Sequence, residues 1–327
     1  MAPSGGRRSR RLRGRPRVSP AAPVPPATQP GRQSPPQGPV HTTAEVLATK
    51  RVGAYQHLTL LAPGVAERFR PGTFLAASVG TLGDHLLGRR ALWIHQVRPV
   101  GGHGLALQVV VEPVRRGTGW LAGLQPGARL PVTGPLGRPF ALPKEPVATV
   151  LVGEGYAAAP LFPLAERLRE RGCAVSLVVG AADEPRLLSA LEARRSARSV
   201  VVVTGDGSVG VRGRVGDVVP ETLRRAGAEV VYAAGPAATL HAVALAAEEH
   251  GAWSQVALEQ PLTCATGLCH GCPVPVVGED GVARTARACV DGPVLRGDRV
   301  RWDDLDLDLD RRHGPDRHLP GPAGGAW

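Results

Sequence analysis

Four of the five cysteines fall within 26 residues, as Cys264–Ala–Thr–Gly–Leu–Cys269–His–Gly–Cys272, with Cys289 following after 16 more. A C-x4-C-x2-C run with a separate fourth cysteine is the plant-type spacing for a [2Fe–2S] cluster. Three thiolates from so short a run converge only if the backbone folds back tightly, and Gly267 and Gly271 are expected to allow that. Cys264, Cys269, Cys272 and Cys289 are therefore the expected metal ligands. Zinc is the competing ion, since four cysteines suit a tetrahedral site, but structural zinc usually pairs two close-spaced knuckles and Cys289 stands alone. His270 reads as a surface residue and Cys173 as a buried structural thiol. Five cysteines in 327 residues are too few for a disulfide scaffold.

Apolar periodicity changes twice along the rest of the chain. From 41 to 143 the runs are short and separated by Gly and Pro: Glu45–Val52, Tyr55–Ala62, Ala91–Val97, Leu105–Val111 and Arg129–Thr133. That pattern predicts an antiparallel β-barrel or sandwich. From 144 to 252, apolar strands (Val147–Val152, Ala174–Val179, Val200–Thr204, Val230–Ala234) alternate with helical stretches at Pro160–Arg171, Glu184–Arg195, Glu221–Ala226 and Ala237–His250. Alternation of this kind predicts an α/β domain, a parallel sheet with helices on both faces. The expected division is a tail at 1–40, a barrel at 41–143, an α/β domain at 144–252, a cluster domain at 253–302 and a tail at 303–327.

Charge separates the tail from the fold. Residues 1–40 hold eight Arg and no acidic residue, so most of the net +11 lies there. With Pro, Ser and Gly but few large apolar residues, this segment is expected to be disordered. It carries no interleaved aromatics for stacking on bases, so no nucleic-acid partner is expected. The most apolar stretch, Ala228–Ala247, is interrupted by Glu229, Gly235, Pro236 and His241. It reads as strand, turn and helix rather than a membrane span, and the expected location is the cytoplasm.

Three glycine turns carry a second chemistry. Gly153–Glu–Gly155–Tyr–Ala157–Ala–Ala–Pro160 follows a strand and opens a helix, which is where small residues let a pyrophosphate approach the backbone. Thr204–Gly–Asp206–Gly–Ser208 and Ala234–Gly235–Pro236 follow two other strands. Ligands of open α/β sheets lie beyond the carboxyl ends of strands, so the turns should converge on one nucleotide. Gly153, Gly155, Ala157, Pro160, Asp206, Gly235 and Pro236 are the candidates.

The order of barrel, α/β domain and cysteine segment resembles the family of electron-transfer subunits of NAD-dependent dihydroorotate dehydrogenase, within the ferredoxin-reductase superfamily. The stretches that carry the resemblance are the cysteine segment with Cys289–Val–Asp–Gly292–Pro293–Val294, then Gly134–Pro135–Leu136–Gly137, Thr204–Gly210 and Gly153–Leu161. The resemblance implies FAD in the barrel, a [2Fe–2S] cluster, NAD in the α/β domain, and an FMN-containing dihydroorotate dehydrogenase catalytic subunit as partner in a heterotetramer. It implies a relay in which this chain supplies no general acid, base or nucleophile. The implied FAD residues are Arg90–Ala91–Leu92–Trp93, Val110–Val111–Glu112 and Gly117–Thr118. Three depart from the family pattern: Ala91 stands for Pro, Trp93 for a Ser that contacts flavin, and Glu112 for an Arg. Arg115 or Arg116 is expected to restore the lost positive charge. Asp183 and Glu184, after the second α/β strand, favour NAD over NADP by repelling a 2′-phosphate, although Arg186 is close and the same residues suit a helix cap. The remaining readings are a reductase subunit of another NAD(P)H-dependent oxidoreductase, and a non-enzymatic, zinc-stapled binding module.

Overall fold

The computed structural model describes residues 38–80, 86 and 88–305. The expectations for the Arg-rich tail and for most of the C-terminal tail lie outside the described residues. Six strands close an antiparallel barrel: β1 (Val40–Val52), β2 (Tyr55–Leu61), β3 (Phe74–Ser78), β4 (Arg89–Val100), β5 (Gly104–Val111) and β6 (Arg129–Leu136), in the order β1-β2-β5-β4-β3-β6. A short helix, α1 (Arg116–Ala122), links β5 to β6. Sequence periodicity misses β3. Its Leu75 and Ala77 face the barrel interior while Phe74 and Ala76 face the α/β sheet. A strand buried on both faces shows no alternation of apolar and polar residues.

The second sheet has the order β10-β9-β8-β7-β11-β12-β15. Its strands are β7 (Ala148–Glu154), β8 (Ala174–Ala181), β9 (Ser199–Thr204), β10 (Val211–Arg212), β11 (Val230–Gly235) and β12 (Trp253–Leu258), all parallel, with antiparallel β15 (Val294–Arg296) at the edge. The helices are α2 (Leu161–Glu170), α3 (Ala190–Ser196), α4 (Val215–Ala226) and α5 (Ala237–His250). α2 packs with α3 and α4 with α5, as separate pairs on the sheet. Right-handed crossovers running outward from β7 in opposite directions put the pairs on opposite faces, as expected.

Two helices differ from the sequence reading. α4 starts at Val215, not Glu221, because Asp217 accepts from the Arg214 N–H (3.0 Å) and starts the helix ahead of Pro220. The stretch Glu184–Arg195 divides into a 3-10 turn at Glu184–Arg186 and α3, separated at Ser189, whose φ is 51°. Between β12 and β15, β13 (Pro273–Val277) and β14 (Ala283–Arg287) pair as a hairpin. The cysteine segment is thus set between two strands of the α/β sheet.

Candidate cofactor sites in the cleft between barrel and sheet

The outer face of the barrel wall meets the carboxyl edge of the sheet at a cavity of about 410 Å³. Its barrel side includes Phe74, Arg89, Arg90, Ala91, Trp93 and Arg115; its sheet side includes Tyr156 and the segment Leu258–Thr263. Strand alternation decides which candidates face it. Ala91 and Trp93 do; Leu92 and Val111 turn into the barrel core, and Val110 packs in the core between barrel and sheet. Those three are packing residues and do not line the cavity, contrary to their place in the expected pattern.

The Arg90 guanidinium lies across the backbone of Gly117, where an added Cβ would come within 2.5 Å of Nε. Gly117 is therefore the residue that lets Arg90 reach over α1. Thr118 Oγ1 accepts from the Arg115 N–H at 3.1 Å, fixing the chain at the cavity rim. Arg89, Arg90 and Arg115 give the cavity a cationic side suited to a diphosphate. Glu112 does not oppose them. It turns to Arg186, 3.4 Å from its Nε, and burial pushes its carboxyl above the usual range. Trp93, buried and edge-on to Phe74, donates its indole N–H to Glu259 Oε1 at 2.7 Å. Sequence reasoning missed Glu259, which lies in no motif.

Strand order reverses between β7 and β11, where the general crevice rule places a nucleotide. Gly153 and Gly235 lie at the ends of these strands. An added Cβ on Gly153 would meet Ala158 Cβ at 2.6 Å, and one on Gly235 would meet Glu154 Cβ at 3.2 Å. Gly155 takes a φ of +60°, Ala157 is buried, and Pro160 and Pro236 start α2 and α5. Glu154 hydrogen-bonds Thr239 across the crevice. The carboxylate of Asp206 accepts from the N–H and hydroxyl of Ser208, which hold it below its usual range. Ser208 in turn accepts from the Glu184 N–H at 2.9 Å, so the Thr204–Ser208 turn meets the acidic stretch that follows β8. Asp183 acts as the cap of the Glu184–Arg186 turn, accepting from the Arg186 N–H at 3.1 Å and pairing with its guanidinium.

The cysteine loop is shaped for sulfur ligands. Sγ of Cys264 accepts from the N–H groups of Thr266 and Cys269, and Sγ of Cys269 from Gly271, each at 3.4 Å. Burial opposes ionisation of Cys264, but those N–H groups outweigh it and bring the thiol down to about 6. Cys272 and Cys289 lie buried with Sγ atoms 3.4 Å apart, and burial, with Cys272 adding, pushes Cys289 up to about 12. Left-handed φ occurs at Gly267, as expected, and at Ala265 and His270 rather than Gly271. Among the described residues no three His, Cys, Asp or Glu side chains converge as one metal ion requires. N–H donors aimed at the thiols of a C-x4-C-x2-C loop suit the sulfurs of a [2Fe–2S] cluster. His270 is exposed and Cys173 is buried, as expected.

Two motifs far apart in sequence meet here. An added Cβ on Gly137 would lie 2.5 Å from Pro293 Cδ, and the Arg138 N–H donates to Gly292 O at 2.6 Å. The segment after Cys289 is thus seated on the end of the barrel.

Residues 259–301 match the model of the iron–sulfur cluster binding domain of dihydroorotate dehydrogenase B. The chain is 32% identical over 262 residues to the electron transfer subunit of dihydroorotate dehydrogenase B (NAD(+)) of Desulforamulus reducens, covering 80% of this chain and 98% of that protein. It is 34% identical over 245 residues to the subunit of the same description from Geobacillus thermodenitrificans, covering 74% and 91%. Among solved structures it is similar to an NADH-dependent reduced ferredoxin-NADP oxidoreductase described for flavin-based electron bifurcation, with a TM-score of 0.70, 29% identity, and coverage of 80% of this chain and 91% of that one.

Proposed function

This chain belongs to the family of dihydroorotate dehydrogenase B electron-transfer subunits, and from that premise we propose that it relays electrons from an FMN-containing dihydroorotate dehydrogenase catalytic subunit to NAD⁺. The observation that carries this reading is continuity: Glu259–Thr263 line the cavity, and the next residue is Cys264, the first expected cluster ligand. When bound, a [2Fe–2S] cluster carries single electrons and FAD converts between these and a hydride on the nicotinamide. The protein's task is placement. Cys264, Cys269, Cys272 and Cys289 would hold the cluster. Arg90 and Arg115 would hold the flavin diphosphate, with Ala91, Trp93 and Phe74 as the wall beside the ring. Gly153–Pro160, Gly235–Pro236 and Asp206 would hold the dinucleotide. We place the chain in the cytoplasm, in a heterotetramer with its catalytic partner; among the described residues no helix is long and apolar enough to cross a membrane.

The test is anaerobic purification followed by reconstitution with the catalytic subunit. Bound FAD, two irons with labile sulfide per chain, and NAD⁺ reduction that depends on dihydroorotate are expected. A zinc-bound, flavin-free protein would reject the relay. A second reading, service to another oxidoreductase, is favoured by the 0.70 TM-score to the ferredoxin-NADP oxidoreductase. Activity with reduced ferredoxin and none with dihydroorotate would select it.

A further inference from the structure

Trp93 stands where the family resemblance has a serine, and its one hydrogen-bonding group is committed to Glu259 at 2.7 Å. The two residues are 166 positions apart, one on barrel strand β4 and the other just past the end of β12 in the α/β sheet. Trp93 is on the sheet-facing side of β4, two positions from Ala91 on one side and from the buried His95 on the other. Glu259 is the first residue after β12. The five residues Glu259–Thr263 form neither helix nor strand, line the cavity, and lead directly into Cys264. An irregular segment with this placement needs a fastening if the distance between its two ends is to be fixed.

We propose that the Trp93–Glu259 hydrogen bond clamps the cluster-bearing segment to the flavin-facing strand, which makes Glu259 a positioning residue for transfer between cluster and flavin. The inference rests on the assignment of the cavity to flavin and of the cysteine loop to the cluster. Its chemistry is specific. An indole N–H is a donor without acceptor capacity, so its partner must be an acceptor. A carboxylate in a half-buried setting accepts a shorter, stronger hydrogen bond than a neutral oxygen does. The clamp also accounts for the departure from serine: a residue that spends its polar group on the cluster segment is not required to spend it on flavin. Phe74, 6.4 Å away and edge-on, sets the plane of the indole and hence the direction of the N–H.

The experiment compares full-length wild type with Trp93→Phe, Glu259→Ala and Glu259→Gln. Backbone amide exchange is followed in the segment 259–264, together with the rate at which the cluster is reduced once NADH has reduced the flavin. Loss of one charge-assisted hydrogen bond should speed exchange in the segment about tenfold in Trp93→Phe and Glu259→Ala. Cluster reduction should slow several-fold in the same two variants, as misplacement of reacting groups does generally. Glu259→Gln keeps an acceptor oxygen and should restore both readouts most of the way, which a merely space-filling role would not require. Exchange unchanged in a flavin- and iron-loaded Glu259→Ala protein would overturn the clamp, as would Glu259→Gln as impaired as Glu259→Ala. Wild-type protein without bound flavin or iron would instead overturn the relay reading, and with it the purpose of the clamp.

Discussion

Gly137 shows how one residue joins two distant segments. Its φ is +78°, and an added Cβ would meet Pro293 at 2.5 Å and Phe74 at 2.9 Å. Gly127 has a similar φ of +87° but nothing within 4 Å. Gly127→Ala should therefore cost about 1 kcal/mol through backbone strain, and Gly137→Ala about 2–4 kcal/mol through strain plus overpacking, read from urea unfolding. Equal losses would show that the Pro293 contact contributes nothing. Arg186 gives a second test. Glu112 and Asp183 both pair with it, so it is engaged before any phosphate arrives. NADH should be preferred over NADPH in kcat/KM with an artificial acceptor, and Glu112→Gln should narrow that preference by releasing Arg186. A wild-type preference for NADPH would refute the assignment. At this scale the cysteines were legible because three of the four ligands share one short run. Glu259 and the Glu112–Arg186 pair were not legible, because each is defined by a partner distant in the chain.

Strand β4 fastens the barrel to the rest of the fold through successive residues. Trp93 holds Glu259, His95 Nδ1 lies 3.2 Å from Ala159 O, Gln96 and His95 both reach Glu192, and Arg98 pairs with Glu166. Ala159 belongs to the expected nucleotide turn, so the strand that lines the proposed flavin cavity also touches the proposed nucleotide crevice. Burial alone would raise the Glu192 carboxyl, but His95, Gln96 and Arg98 outweigh it and hold it below its ordinary 4.5. A lowered native value means the unfolded chain binds more protons in acid. The stabilisation is then present above pH 4.5 and fades as pH falls through the native value. Urea midpoints of wild type and Glu192→Gln should differ at pH 7 and converge in acid. A gap that stays constant with pH would contradict this. An element with one exposed face, such as β1, announces itself by alternation. β3 does not, because both faces are covered, and α4 is obscured by Pro220, which sequence patterning treats as a boundary.

At the scale of the molecule, the barrel interior and the core of the α/β domain, which extends to the barrel's outer face, account for nearly all the large buried side chains among the described residues. The exposed Cys269 contributes to neither. Cys269→Ser should therefore remove the cluster absorbance and the iron while leaving the far-UV spectrum and the urea midpoint close to wild type, and NADH-driven dye reduction through flavin should persist. Collapse of the fold on that change would point to a structural metal instead. The strand–helix alternation made the parallel sheet legible. The antiparallel return of β15 was not, since three residues carry too little pattern to register against β12. That return has a practical consequence. Cutting the chain after Leu258 would leave β12 as a bare edge, a template for aggregation. A working cassette for transplanting the electron carrier into another reductase must run from Trp253 to Arg296 and bring a host surface with a glycine in the place of Gly137.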